Sequence, residues 1–342
     1  MGYMFADEDS FNQPIDSWDV SQVKDMRRMF RSATSFNQPI DSWDVSQVKD
    51  MRDMFSGNYY SGATNFNQPI GSWDVSQVKD MAKMFDFAIF NQPIDSWDVS
   101  QVKDMAKMFA GATFNQPLDS WDVSQVNFMN YMFAGATFNQ PIDSWDVSQV
   151  EVMTGMFANV FGATTFNRPI DTWDVSQVQD MTRMFYRAGF FNQPIDTWNV
   201  SQVEYMDDMF NSAFSFNQCL STWAEKTSDD VDTDGMLTSS GCPNDNDPNA
   251  TIGPWCQDYN QGCFAPGFEP SQQPSDLSSN KPTGTPTGTP TISPTVSPTA
   301  SPTGTPTTSP TVSPTASPTK KSQKKKSTKK TKKQVKKKSK KM

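Results

Sequence analysis

Histidine is absent from the 342-residue chain, which removes the commonest general base, proton switch and metal ligand together. No segment approaches the roughly 20 apolar residues that span a bilayer. The first residues also lack the charged start and apolar centre of a secretion signal. Only four cysteines occur, all between Cys219 and Cys263. These absences argue against an enzyme, a cofactor-binding protein and a transmembrane protein.

Acidic side chains are confined to residues before the lysine-rich tail, where they outnumber the basic ones. Of the 29 basic side chains, 14 are lysines in residues 320–342, where no acidic residue occurs, and all 38 acidic side chains precede that tail. A lysine-rich tail without aromatic residues predicts sequence-independent attraction to polyanions that weakens with salt. Nuclear import is the competing interpretation of so dense a basic run.

One 20-residue unit is repeated along most of the sequence. It is first complete at residues 11–30, as Phe-Asn-Gln-Pro-Ile-Asp-Ser-Trp-Asp-Val-Ser-Gln-Val-Lys-Asp-Met-x-x-Met-Phe, and a ninth copy that starts at Phe216 degenerates. The intervening copies start at Phe36, Phe66, Phe90, Phe114, Phe138, Phe166 and Phe191. A period between about 20 and 50 residues indicates stacked repeats rather than one globular core. Met4 and Phe5 align with the pair that closes each unit, so we expect the chain to be truncated at its N-terminus, within a coil.

The apolar pattern within a unit predicts the local structure of each coil. Ile15, Trp18 and Val20 follow i, i+3, i+5 spacing, and Trp18 and Val20 should share the inner face of a short strand with Asp19 pointing outward. The next apolar residues have three-three-one spacing, which fits a short inward-packed helix: Val23, Met26, Met29 and Phe30. We therefore expect a right-handed solenoid of leucine-rich-repeat-like coils, each a short parallel β-strand plus a short helix, over residues 1–241.

The unit closely resembles the repeat of the BspA-like leucine-rich-repeat surface proteins, the DUF285 or mycoplasma lipoprotein-associated type. The resemblance covers residues 1 to about 240, where Trp-Asp-Val-Ser-x-Val and Met-x-x-Met-Phe recur in register. It implies a secreted or surface-anchored protein that serves adhesion or recognition, with no known enzymatic activity and no catalytic residues.

Three segments of different composition follow the repeats. Residues 242–281 form a cysteine-containing, loop-rich segment, 282–319 are Thr/Ser/Pro repeats typical of an O-glycosylated stalk, and 320–342 are the disordered lysine tail. Four cysteines allow three pairings. The favoured scheme joins Cys219 to Cys242 and Cys256 to Cys263, although the sequence does not decide among the three schemes. A zinc site is disfavoured because neither histidine nor a Cys-x-x-Cys pair is present.

Several residues are candidates for binding or modification. Insertions between copies map to loops on one face of the stack, which is often the binding face. The residues of the longer insertions that could contact a partner are Tyr59, Tyr60, Val160 and Phe161. A tolerated surface insertion without a binding role is the favoured interpretation. Asn199 and Asn249 are N-glycosylation sequons. The degenerate copy contains the start of a calcium loop at Asp230, Asp232 and Asp234, but Gly241 occupies the position of the required Glu, so a polar terminal cap is favoured.

Two columns of identical polar residues should run along the stack. Outward aspartates suggest either a cation-binding stripe or, preferably, a solvated acidic face: Asp19, Asp44, Asp74, Asp98, Asp122, Asp146 and Asp174. Asparagines after each leading Phe should satisfy backbone groups at turns: Asn12, Asn37, Asn67, Asn91, Asn115, Asn139, Asn167, Asn192 and Asn217.

The sequence as a whole favours a non-enzymatic protein of the cell surface or extracellular matrix, displayed on a stalk. Its expected partners are an extracellular protein or glycan, and an anionic wall, matrix or mineral surface held through the lysine tail, with no specific nucleic acid. The alternative is a structural or biomineral-organising protein that acts through the Lys/Ser tail.

Overall fold

The computed structural model describes residues 1–58, 62–162, 164–248, 255–256 and 263. Within these residues the only helix is a 3-10 helix, Ser221–Glu225, and no extended strand is formed. Successive repeat copies contact one another through isolated parallel β-bridges between single residues. The predicted coil of short β-strand plus short helix is therefore wrong, and each coil is a succession of turns instead.

Hydrogen bonding between coils explains why the Met-x-x-Met-Phe segment does not form a helix. Met26, Arg28 and Phe30 donate their N–H groups to carbonyls of the following coil, at 2.9–3.0 Å. Met29 and Arg31 donate to carbonyls three residues back within their own coil, at 3.1 and 3.2 Å. An α-helix needs all of these N–H groups for bonds four residues back. Because alternate N–H groups are used between coils, the segment becomes a chain of turns.

Backbone conformation in the same segment also excludes a helix. The residue two positions before the closing Phe has a left-handed conformation, which interrupts a right-handed helix. Its φ lies between 55° and 66° at Arg28, Asp53, Lys83, Lys107, Tyr131, Gly155, Arg183, Asp208 and Gly235.

The predicted inner face is correct from the second coil onward, although its backbone is not; in the first coil Val20 is buried, whereas Trp18 is 37% exposed. Trp43, Val45 and their equivalents in later coils are at most 3% exposed, and the methionines and closing phenylalanines are also buried. Phenylalanine rings stack along the core; the centroid of Phe30 lies 4.0 Å from that of Phe36 and 5.5 Å from that of Phe55. Stacked rings of this kind couple each coil to its neighbours.

Tryptophan and asparagine side chains also join one coil to the next. The indole Nε1 of Trp121 donates to the carbonyl of Ile94 in the preceding coil at 3.0 Å, and six other tryptophans do the same at 2.9–3.0 Å. In the asparagine column, the Oδ1 of each residue from Asn12 to Asn192 accepts the backbone N–H of the asparagine in the following coil at 2.9–3.1 Å. The structural role predicted for the asparagines is confirmed.

The degenerate ninth copy packs as a last coil on the stack. Met236 and Leu237 are fully buried, and the carbonyl of Met236 accepts the N–H of Phe210 at 2.8 Å. Trp255 is also fully buried, where its ring meets that of Trp223 edge to face at 6.1 Å. This contact closes the end of the apolar core.

The four cysteines form two disulfides, Cys219–Cys263 and Cys242–Cys256. The favoured pairing of Cys219 with Cys242 and Cys256 with Cys263 is therefore wrong. Burial of Trp255, whose carbonyl accepts the N–H of Leu220 at 3.1 Å, brings the adjacent Cys256 to Cys242. Cys219 is then left for Cys263.

The chain divides into two compact units, Met1–Ser278 and Ser279–Met342. All described residues belong to the first unit. The proposed stalk and lysine tail lie outside the described residues. Among the described residues, no helix has the length and apolar composition needed to cross a membrane.

Candidate functional site

The outward aspartate column stabilises a turn in each coil. All seven carboxylates are exposed, and each Oδ1 accepts the N–H of the serine two residues later at 3.0–3.1 Å. Hydrogen bonds from the hydroxyl and N–H of Ser21 lower the pKa of Asp19. Asn199 occupies the same position in its coil and accepts the N–H of Ser201 at 3.3 Å. The column is therefore a solvated acidic face with a local structural role.

A second acidic column, which the sequence analysis missed, lies where adjacent coils form their parallel bridges. Asp25, Asp50, Asp80 and Asp104 follow one another along this line. Later coils have Phe128, Val152 or Tyr205 at this position, although Asp180 and Asp232 keep the aspartate. The signal was the Lys-Asp-Met sequence of each early copy, where the aspartate sits directly before a core methionine.

Two arginines compensate one end of this second column. Arg27 contacts Asp25 at 2.7 Å and Asp50 at 3.4 Å. Arg52 contacts Asp50 at 2.9 Å and the next aspartate, Asp80, at 3.4 Å. The hydrogen bond from Arg27 lowers the pKa of Asp25, whereas burial raises the pKa of Asp80.

The calcium-loop candidates are not assembled as a metal centre. Asp232 forms a backbone bridge with Tyr205, and its Oδ1 accepts the N–H of Asp234 at 3.1 Å. Asp230 is exposed beside them. Among the described residues no group of three or more cysteine or acidic side chains could hold a metal ion. The three aspartates belong to the last coil.

The loop candidates differ in their surroundings. Tyr59 and Tyr60 lie outside the described residues, as does the sequon at Asn249. Val160 is 37% exposed, whereas Phe161 packs onto the stack, where its ring meets that of Phe87 edge to face with centroids 5.0 Å apart. Of this candidate pair, only Val160 is displayed to solvent.

The start of the insertion after Phe55 packs closely against the backbone of the next coil. Gly57 donates its N–H to the carbonyl of Asp86 at 2.6 Å, and a Cβ at this glycine would lie 2.5 Å from the carbonyl oxygen of Phe87. Thr64 returns the chain to the stack by donating its hydroxyl to the carbonyl of Phe55 at 2.7 Å. Glycine is therefore required where the insertion crosses its neighbour.

This insertion borders an open polar cavity that the repeat pattern of the sequence did not predict. The cavity, which we call the insert pocket, has a volume of about 240 Å³ and polar lining side chains from Arg31, Asp53, Ser56, Asn58, Lys83 and Asp86, with Gly57 and Phe87 completing the wall. These residues come from three successive coils. The one available signal was that Asp86 is the only acidic residue directly after a Met-Phe pair.

Asp86 has an unusual environment within the insert pocket. Its Oδ1 is buried and has no hydrogen-bond partner in the described part of the chain. Burial raises the pKa of Asp86 to about 7 and the nearby Asp53 adds to this, although Lys107 and Lys83 act in the opposite direction. A buried carboxylate oxygen without a donor is costly, so this group stands out from the satisfied carboxylates of the outward column.

Comparison with known proteins places the repeats in a family. No curated protein and no solved structure matches the chain. The family described as "Mycoplasma protein of unknown function, DUF285" matches three times, over residues 1–60, 57–161 and 138–248. These matches extend over well over half of the chain and coincide with the stacked coils. The chain therefore belongs to the DUF285 family of repeat proteins.

Proposed function

We propose that this chain is a non-enzymatic protein of the cell surface or extracellular matrix that serves adhesion or recognition. The observation that carries the proposal is the contrast between the uniform coils and the region around the insertion after Phe55. In the coils, the outward aspartates accept the same hydrogen bond from a serine N–H in each copy. The insertion instead forms a cavity lined by charged and polar side chains from three coils.

The two disulfides support a location outside the reducing cytoplasm. Cys219–Cys263 and Cys242–Cys256 close the end of the stack, and the Thr/Ser/Pro segment follows later in the sequence. Disulfides persist mainly in oxidising compartments. A stalk and a lysine tail that follow such a module suit display at an anionic wall, matrix or mineral surface.

Intact cells that express the full chain provide the test. An antibody against the repeats should label the cell surface, and a high-salt wash should release the signal if the lysine tail is an electrostatic anchor. The full chain should also bind a cell, glycan or matrix component at physiological salt. A signal confined to the cell interior, or the absence of any such binding, would contradict the proposal.

The same wash separates adhesion from the structural-matrix alternative, which the 14 lysines of residues 320–342 favour. In that case the surface signal would resist salt because the protein is embedded in its matrix. Deletion of the tail would then abolish mineral or matrix association, and the repeats would have no ligand of their own.

A further inference from the structure

We propose that the insert pocket binds a single hydroxyl-rich ring, of the kind found at the end or along the chain of a glycan. The inference rests on the proposed recognition function, because it names a ligand class for the surface that this function requires. Three observations support it: the size of the pocket, the unpaired Oδ1 of Asp86 and the charges of the lining side chains.

The pocket is a built feature of the fold rather than a gap between mobile side chains. Its floor is tied to the stack by the Gly57 to Asp86 backbone bond, and its wall includes Asp53 and Ser56, which are 6% and 2% exposed. The hydroxyl of Ser56 donates to the carbonyl of Asp53 at 3.2 Å, which fixes both residues. A volume of about 240 Å³ is below the ~300–1,000 Å³ of sites for drug-sized ligands. It suits one ring rather than an extended molecule.

The unpaired oxygen of Asp86 defines the first requirement of the ligand. A carboxylate oxygen only accepts hydrogen bonds when it is ionised, and the Oδ1 of Asp86 is buried without a donor. A ligand that donates an O–H or N–H to this atom would remove the cost of leaving it unpaired. The ligand must therefore carry at least one donor.

The charges around Asp86 decide which kind of donor is acceptable. Arg31 and Lys83 also line the pocket, so an ammonium group would meet two cations. Asp86 would in turn repel a carboxylate or phosphate, whereas Asp53 is already paired with Arg28 at 3.1 Å. A neutral group that both donates and accepts can face Asp86 and the two cations together, and adjacent hydroxyls do so because each has one donor and two acceptor positions.

The neighbouring coils show which substitution of Asp86 the fold should tolerate. Alanines occupy the equivalent position at Ala110, Ala134 and Ala158, where they are fully buried. An Asp86→Ala variant therefore copies a residue that the fold already accepts. Asp98→Asn is the matched control, because it removes one carboxylate charge at a position where Asn199 makes the same bond to a serine N–H.

The experiment measures binding of methyl glycosides of hexoses and N-acetylhexosamines to the oxidised full chain by saturation-transfer NMR at pH ~8, above the pKa of Asp86, where its carboxylate is ionised. A small alkylammonium ion and inorganic phosphate are included as charged probes. We expect a glycoside to bind, Asp86→Ala to weaken that binding about tenfold or more through loss of a charge-assisted hydrogen bond, and Asp98→Asn to leave it unchanged.

Three results would overturn the inference: no glycoside binding, glycoside binding that Asp86→Ala does not weaken, or preferential binding of a charged probe. If the full chain still adheres to cells or matrix in any of these cases, the proposed function survives and only the pocket assignment is lost. Asp86-dependent glycoside binding by a protein whose signal is confined to the cell interior would keep the pocket and contradict the proposed surface location.

Discussion

The ring of Phe87 meets the ring of Phe161 edge to face, with centroids 5.0 Å apart and an interplanar angle of 70°, although two complete coils separate the residues. Glycines in those two coils make room for the contact. A Cβ at Gly111 would lie 2.7 Å from the ring of Phe87, and a Cβ at Gly135 would lie 2.9 Å from the Cβ of Phe161. The loop candidate Phe161 is therefore part of a contact that spans four coils.

This aromatic contact should contribute measurably to stability. We expect Phe87→Ala and Phe161→Ala to destabilise the protein less than additively when combined, with a coupling energy of about 0.5–1.5 kcal/mol in a double-mutant cycle. Urea unfolding of the four proteins measures it. Phe190→Ala, at a residue that is 61% exposed, is the control and should change the free energy of unfolding by less than about 0.5 kcal/mol. Strict additivity would show that the rings do not interact.

Gly155 should be intolerant of a side chain because of Tyr131. A Cβ at Gly155 would lie 2.4 Å from a ring carbon of Tyr131, while the φ of Gly155, 59°, matches that of non-glycine residues in other coils. We expect Gly155→Ala to cost more than the ~1–2 kcal/mol of a left-handed alanine, since the ring must also move.

The double variant Gly155→Ala/Tyr131→Ala separates these two contributions. Relative to Tyr131→Ala alone, the alanine at position 155 should then cost only the backbone strain. Urea unfolding that shows an equal cost of Gly155→Ala in both backgrounds would contradict a steric conflict with Tyr131.

The indole hydrogen bonds between coils should be separable from tryptophan packing. Trp121 Nε1 donates to the carbonyl of Ile94, whereas Trp223 Nε1 has no partner among the described residues. Trp121→Phe should therefore cost about 0.5–1.5 kcal/mol more than Trp223→Phe, because it removes one hydrogen bond from the carbonyl of Ile94, which keeps the N–H of Trp97 at 3.1 Å. Guanidinium unfolding measures the difference. Equal costs for the two variants would mean that the indole bonds add nothing beyond packing.

The pKa of Asp86 predicts a pH-dependent stability. Its folded-state value of about 7 is above the ordinary 3.8, so folding favours the protonated carboxyl. The contribution of Asp86 to the free energy of unfolding should therefore be largest below pH ~4, fall as the pH rises towards 7, and level off above it. The change is at most about 4 kcal/mol, since a tenfold change in protonation equilibrium corresponds to ~1.36 kcal/mol.

Asp86→Asn tests this dependence, since it removes the titrating group while keeping its size. The variant should lose the fall between pH 4 and 7 and be more stable than the natural sequence at pH 8. The charged groups around the site, Asp53, Lys83 and Lys107, remain in place. Asp98→Asn should retain the wild-type slope. An unchanged slope in Asp86→Asn would place the titration elsewhere.

The disulfide pairing can be read directly from proteolytic peptides of the non-reduced protein. Mass spectrometry should find Cys219 linked to Cys263 and Cys242 linked to Cys256. Removal of either link should destabilise the last coil by about 3–4 kcal/mol, because the loops of 44 and 14 residues lose their closure constraint. Peptides that join Cys219 to Cys242 would contradict the structure.

The sequence by itself determined which side chains are buried and that the coils repeat. Trp43, Val45 and the closing phenylalanines are inside as their spacing predicts, and Asp19 is outside, because periodicity reports directly on which side of the chain meets the apolar core. It also identified the family and the structural asparagine column, since both depend on residues that recur in register.

Only the tertiary structure decided the backbone of each coil, the cysteine pairing and the insert pocket. The three-three-one spacing of the apolar residues is compatible with a helix, but Met26, Arg28 and Phe30 donate their N–H groups to carbonyls of another coil. The spacing of apolar residues does not specify which carbonyl accepts each backbone N–H. Asp86 becomes distinctive only when stacking buries its oxygen beside Asp53. Each of these features depends on contacts between distant parts of the chain, which periodicity does not specify.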